Sequence, residues 1–322
     1  MKRRTLLAAG GAALSVAIPA LAQSRYPDRA IRLVVPFAPG GDGDVMGRAW
    51  VKYAVPLFNG ATIYVDNKAG AGGVIGAAEV ARAKADGYTL LLGTTTTQII
   101  NPLASASPQY DPIKDFVLVG MVSANPTCIV VHPSVPANSL GELAAYAKGR
   151  SLSYGSAGQG TITNLTGELF KYLSGKLDIQ HVPYKGGGPA MQDLVAGHVP
   201  IITPIMSSAV LAQHRAGKAR ILAVNSPTRL KAAPDLPTSV ESGLPDMRVQ
   251  VFNAVFAPAG TPTSAIDTLR ALAQKVQTDA GFVQEVEKSG AEVLSLGDPE
   301  KFVQDEVARW AQVIKMTQFK IG

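Results

Sequence analysis

The sequence holds a single cysteine, Cys128, in 322 residues. One thiol excludes an intrachain disulfide framework and any metal site built on clustered cysteines. Histidine is nearly as scarce: His132, His181, His198 and His214 show no metal-ligand spacing such as H-E-x-x-H. Charged residues make up only 17% against 47% hydrophobic. That balance excludes global disorder and leaves material for about two packed domains. Beyond the N-terminus no stretch approaches 18 apolar residues, so the rest is expected to be soluble.

Nucleotide and catalytic signatures are missing too. Gly175-Lys176 and Gly217-Lys218 are not followed by Ser or Thr, which excludes a phosphate-binding P-loop. Gly70-Ala71-Gly72 begins like a dinucleotide fingerprint, but Ile75 occupies the third glycine position. In Tyr154-Gly155-Ser156-Ala157-Gly158, Tyr154 replaces the first glycine of a nucleophile elbow. Cys128 sits in the apolar run TCIVV and reads as a small buried hydrophobe. No catalytic residue, cofactor or metal ligand is assigned.

What is present starts with a leader. Residues 1–22 combine Lys2-Arg3-Arg4, an apolar run from Thr5 to Ile18 and a small-residue end at Ala20-Leu21-Ala22. This is the pattern of a cleavable secretory signal, with an arginine pair that also permits twin-arginine export. Its removal takes away three cations and no acid, so the net charge falls from +6 to +3. A nearly balanced chain does not support a broad nucleic-acid surface.

The remainder alternates short apolar runs with helical patterns. Ile31–Val35, Ala61–Val65 and Tyr88–Leu92 read as buried strands, each followed by a glycine- or threonine-rich turn and a helix. A second set follows: strands at Thr127–Val131, Ser151–Tyr154, Ile179–Val182, Ile201–Pro204 and Arg220–Val224. Between them lie helices, one opened by the capping box Ser139-x-x-Glu142 and closed by Gly149, another over Ile162–Leu173. This alternation predicts mostly parallel sheets flanked by helices in two similar α/β units. Phe116–Val131 and Val249–Ala257 are long extended runs that fit two crossovers between the units. Asn225–Asp246 reads as an irregular surface connection. Pro262 opens a helix with Ile266, Leu269, Leu272 and Val276 on one face. Asp298-Pro299 opens a last helix with Phe302, Trp310 and Ile314 inward.

The recurring chemistry is a glycine-rich loop between a strand and a helix. The first is Pro36-Phe37-Ala38-Pro39-Gly40-Gly41-Asp42-Gly43-Asp44. Others are Asn67-Lys68-Ala69-Gly70, Gly93-Thr94-Thr95, Gly155-Ser156-Ala157-Gly158 and Tyr184-Lys185-Gly186-Gly187. Such loops expose N–H groups at helix N-termini, where the dipole favours an anion. Two units facing each other would form a cleft suited to a carboxylate, with no evident acid, base or nucleophile.

These segments together carry a resemblance. YPDRAIRLVVPFAPGGDGD, DNKAGAGGVIGA, ADGYTLLLGT, YDPIKDF, YGSAGQGT, VPYKGGGPA and PDLPTSVESGLP occur in order. They closely resemble the Bug-type receptors, extracytoplasmic solute-binding proteins of tripartite tricarboxylate transporters. The resemblance implies a two-lobed periplasmic-binding-protein fold of type II-like plan with two crossover strands. Domain I is then 26–124 with 250–322, and domain II 125–249. It also implies a periplasmic monomer that takes a small di- or tricarboxylate, acidic amino acid or aromatic acid and serves membrane permease subunits. Carried onto this chain, the ligand-binding candidates are Phe37, Gly41 and Asp44 in the first loop. From the second unit they are Ser156, Ala157, Gly158, Thr161 and Asn164, with Tyr184 and Gly187. Asn67, Thr94 and Ser207 complete the set. Three departures stand out: Asp42-Gly43 where the family usually has Ser/Thr-x, Asn164 where it usually has His, and Lys68-Ala69 where Arg-Pro is usual. Two other readings fit the same loops. One is a sensing subunit that docks on a membrane kinase; the other is a secreted enzyme.

Overall fold

The computed structural model describes residues 26–58, 60–294 and 299–321. The leader read over residues 1–22 lies outside them, as does Asp298. Among the described residues no helix is long and apolar enough to cross a membrane.

Two five-stranded sheets form the framework. The first opens with β1 (Ile31–Val35), α1 (Asp42–Leu57), β2 (Ile63–Asn67), α2 (Val74–Ala81) and β3 (Thr89–Thr94). A π-helical turn at Thr96–Ile100 leads into the short α3 (Asn101–Ala104), and β4 (Phe116–Pro126) forms the edge. One residue later the chain continues as β5 (Cys128–Val131), already in the second sheet. There follow α4 (Leu140–Ala147), β6 (Leu152–Ser156), α5 (Ile162–Leu173), β7 (Ile179–Pro183) and α6 (Gly187–Val195). Then come β8 (Ile201–Ile202), α7 (Ser208–Arg215) and β9 (Arg220–Val224). Strand β10 (Gln250–Pro258) returns to the first sheet, and α8 (Thr263–Thr278), α9 (Ala280–Lys288) and α10 (Pro299–Thr317) follow.

The strand orders are β2-β1-β3-β10-β4 and β7-β6-β8-β5-β9, the same plan twice. In each sheet four strands point one way and one runs against them: β10 in the first, β5 in the second. Both exceptions are the strands that arrive from the other sheet. A parallel neighbour needs a crossover helix, whereas a strand entering from outside is free to pair antiparallel. The two crossings lie side by side, with Thr127 N–H donating to Val249 O (2.8 Å) and Asn225 N–H to Thr127 O (2.8 Å). The expected two-lobed, mostly parallel architecture with two crossovers is therefore present.

Strand alternation sorts the core. Ile31, Leu33 and Val35 pack on the face that holds α1, α8 and α9, while Val34 faces the opposite side with α2 and α10. On β5, Ile129 and Val131 join that second cluster, which extends under both sheets, while Cys128 and Val130 face α6 and α7. Burial pushes the Cys128 thiol well above its ordinary value, as an inert core residue requires. Ile266, Leu269, Leu272 and Val276 are all buried. Trp310 is buried on α10, with Phe302 and Ile314 packed against the same core.

Two local readings shift. The second strand begins at Ile63, two residues later than its apolar run, because β2 follows the β1 register from Ile31↔Ile63 to Val35↔Asn67. The 225–246 stretch has no helix or long strand, but it is not only a surface connection. Ala233 and Leu236 are buried against β9 and α7, and Asn225 Nδ2 donates to Thr127 Oγ1 (2.8 Å).

Candidate ligand-binding site

In open α/β sheets ligands bind beyond the C-terminal strand ends. Here those ends face each other across a cleft. An inner cavity of about 50 Å³ lies between them. Gly40, Gly41 and Gly43 line it after β1, Thr94 and Thr96 after β3, and Ala157 and Thr161 after β6. Gly187 follows β7, and Pro204, Ile205 and Ser207 follow β8.

Four helices, α1, α5, α6 and α7, begin at this cavity. Their first N–H groups have no acceptor within the helix, and each helix presents the positive end of its dipole. Among the described residues no lysine, arginine or histidine lines the cavity. Main-chain N–H groups and hydroxyls are therefore what would attract an anion there, and the buried Asp42 is the acid that lines the same cavity. Thr161 Oγ1 caps α5 by accepting from Asn164 N–H (3.1 Å), and Ser207 Oγ caps α7 by accepting from Val210 N–H (3.3 Å).

The two lobes are closed on each other. Ala38 N–H donates to Lys185 O (3.1 Å), and Ile162 N–H donates to Thr96 Oγ1 (3.0 Å). Glycines make this approach possible. A Cβ on Gly41 would lie 3.3 Å from Gly187 N, and one on Gly188 only 2.5 Å from Pro39 O. Farther out is a cavity of about 230 Å³ lined by Gly70–Gly73, Gly158, Gln159, Tyr184 and Lys185. Phe37 and Ala157 border both cavities.

Of the residues singled out from sequence, Phe37, Gly41, Thr94, Ala157, Thr161, Gly187 and Ser207 line the inner cavity. Gly158 and Tyr184 line the outer one. The Tyr184 hydroxyl donates to Asp193 Oδ2 (2.8 Å), and burial, then Asp193, pushes it up to about 12.

Asp44, Asn67, Ser156 and Asn164 line neither cavity, because their polar atoms are used inside the protein. Asp44 accepts from Gly40 N–H (3.1 Å), Arg48 Nε (2.9 Å) and Asn67 Nδ2 (3.0 Å). Asn67 Nδ2 also donates to Phe37 O (3.0 Å), so these two side chains brace the first loop from behind. Asn164 Nδ2 donates to the Tyr154 hydroxyl (2.7 Å), and its Oδ1 accepts from Gly160 N–H (3.1 Å). Ser156 Oγ lies 2.7 Å from His181 Nε2 and accepts from Gly158 N–H (3.1 Å). Burial pushes the half-buried His181 down to about 4, so it is neutral. The pair has the spacing of a Ser–His dyad, but Ser156 Oγ is buried and spent on the loop.

Sequence reasoning marked Asp42 only as an added charge near the site, not as a lining residue, and missed Thr163, Met191, Ile205 and Val210. The signal for the last two was available: the segment after β8 is one more loop between a strand and a helix. Met191 lies a full turn inside α6, where no loop motif points.

The brace around Asp44 yields a prediction. Burial alone would push its carboxyl up, but the hydrogen bonds from Arg48, Gly40 and Asn67 outweigh it and hold it below the ordinary value. A depressed carboxyl contributes stability above its unfolded value and loses it as pH falls through the folded one. Asp44→Asn is therefore expected to destabilise by about 1–2 kcal/mol near neutral pH. The difference from wild type should begin to shrink below about pH 4 and vanish only once the pH is below the depressed folded value. Thermal melts of both proteins across that range check it, and a constant difference would contradict the brace.

The comparisons with known proteins agree with this geometry. The TctC pattern, described as the tripartite tricarboxylate transporter family receptor, matches residues 57–319. Protein BugT of Bordetella pertussis is 36% identical over 315 residues, 96% of this chain and 95% of BugT. The solved structure of periplasmic binding protein BugD superposes with a TM-score of 0.86 at 34% identity, covering 92% of this chain and 99% of BugD. R. palustris Rpa4515, solved with adipate, gives a TM-score of 0.87 at 33% identity with the same coverage. Shared sequence over nearly the whole chain and a shared fold place this chain among the Bug-type receptors of the tripartite tricarboxylate transporter family.

Proposed function

We propose that this receptor captures a small carboxylate in the inner cavity and delivers it to membrane permease subunits. The observation that carries the reading is the convergence of four helix N-termini on a cavity without a basic side chain. Several main-chain N–H groups and hydroxyls then bind one charged acceptor, each bond contributing about 1.5–3 kcal/mol. The adipate in Rpa4515 supports a dicarboxylate. One end would sit against Gly41 and Gly187, with Phe37 and Ala157 along the chain. The leader would export the protein to the periplasm, where it would act as a monomer. Its domains would be 26–124 with 250–322, and 125–249. Ligand would be released unchanged, as a receptor's cargo is.

A melting screen of the mature protein tests this. Aliphatic di- and tricarboxylates are expected to raise the melting temperature. At a hundredfold excess over Kd the gain is about 2.7 kcal/mol, on the order of 5 °C. Their methyl esters should have no effect. Stabilisation by neutral or cationic solutes alone would refute the reading, as would consumption of the acid.

A further inference from the structure

Asp42 has no part in the reading above, yet among the described residues it is the one charged side chain lining the inner cavity. Its side chain is buried, and both oxygens accept from neutral amides on the crossover strands. Asn125 Nδ2 of β4 donates to Oδ1 (2.8 Å), and Asn253 Nδ2 of β10 donates to Oδ2 (2.9 Å). A single acid thus ties the start of α1 to both strands about which the lobes must hinge.

Among the described residues no cation pairs with it. On its own helix the charges nearby are Asp44 and Arg48, which pair with each other (2.9 Å). From β4 and β10 it faces Asn125, Ser123 and Asn253, and from the segment after β8 the main chain of Met206. The opposite lobe adds Thr161, Thr163, Gly187 and Ser207 to the same cavity. None of these groups from the packed elements carries charge. A carboxylate held by the amides around Gly41 and Gly43 would bring a second negative charge beside a buried first one. Two such charges in one dry site oppose each other until one is neutralised by a proton.

The clasp serves both protonation states. Asn253 Nδ2 also donates to Ser123 Oγ (3.1 Å), while its buried Oδ1 has no partner. Turning this amide by half a rotation would place Oδ1 between a protonated Asp42 and the Ser123 hydroxyl, both able to donate. Asn125 is less free, because its Nδ2 is also held by Met206 O (3.2 Å).

We propose that the cleft takes up its carboxylate together with one proton, held on Asp42, which makes this residue the determinant of the charge state the receptor accepts. The inference rests on the carboxylate reading above. Burial pushes the Asp42 carboxyl up to about 7 against the opposing hydrogen bond from Asn253, so the proton exchanges near neutrality. A bound anion raises it further. Affinity is then constant at low pH and falls about tenfold per pH unit above about pH 7, until the bound-state value is passed.

Calorimetric titration of the mature protein with adipate between about pH 6.5 and about pH 8.5, where the ligand stays a dianion, in buffers of different ionisation enthalpy, reads both slope and proton count. Uptake approaching one proton per site near the upper end, with the falling affinity, is expected for wild type. Asp42→Asn should bind with an affinity that no longer follows pH. Wild-type binding without proton uptake overturns the proposal, and so does an unchanged slope in Asp42→Asn. Should that variant not fold, the proton count of wild type alone decides. Absence of adipate binding at every pH counts against the carboxylate reading instead. The carboxyl ¹³C titration of Asp42 then judges this inference separately: a midpoint near 7 supports it, and one near the ordinary value of about 4 overturns it.

Discussion

Gly188→Ala is expected to weaken ligand binding about 10- to 100-fold while leaving the free protein at least as stable as before. Gly188 occupies the first turn of α6 with an ordinary helical backbone, where alanine is preferred over glycine by about 1 kcal/mol. Nothing within its own lobe opposes a methyl group there. Its obstacle is Pro39 O, 2.5 Å from the added Cβ, on the first loop of the other lobe. The clash exists only when the lobes close. Forcing a main-chain oxygen aside costs about 1–3 kcal/mol, and that cost falls on the closed state alone. A ligand that needs the closed state loses the same amount. Calorimetry with a dicarboxylate that stabilises the wild type measures the loss, and scattering of the free variant should show a more open particle. Unchanged affinity would mean that the loops do not meet in the bound receptor.

Gly167→Ala should do the opposite, destabilising the fold by about 2–3 kcal/mol. Gly167 also lies in a helix, α5, where propensity alone again favours alanine. Here a Cβ would penetrate the Tyr154 ring, and that ring is held on every side. Its hydroxyl donates to Glu168 Oε1 (2.7 Å) and accepts from Asn164 Nδ2 (2.7 Å), and its other face stacks on His181 at 5.0 Å. Neither partner is free to yield. Urea unfolding should show a lower midpoint with an unchanged slope. In a Tyr154→Ala background the same substitution should cease to destabilise, because the obstacle is gone. Equal losses in both backgrounds would place the strain elsewhere.

These two glycines look alike in the sequence, and neither effect can be read there. Helix propensity is a property of the chain near a residue; the obstacle is a group brought in from Pro39 in one case and Tyr154 in the other. The same limit governed the site. The glycine loops after β1, β6 and β7 were legible, because a strand, a glycine turn and a helix are encoded within about ten residues. Their residues Gly41, Ala157, Thr161 and Gly187 do line the inner cavity. Asp44, Ser156 and Asn164 flank two of these loops and Asn67 ends β2, but all four turn inward, each toward a partner that only the folded chain supplies. The Asp42 clasp was hidden for the same reason: its amides come from positions 83 and 211 residues away.

By itself the sequence determined the elements, their α/β alternation, the two crossings and the family, because these follow from local periodicity, turn chemistry and strings of motif residues. The tertiary structure alone decided which loop side chains face the ligand cavity and which brace it. It also decided that a buried acid, held only by neutral amides, sits in that cavity against the two crossover strands. Burial and hydrogen-bond partners are fixed by contacts between distant segments, and those exist only once both sheets have formed and closed.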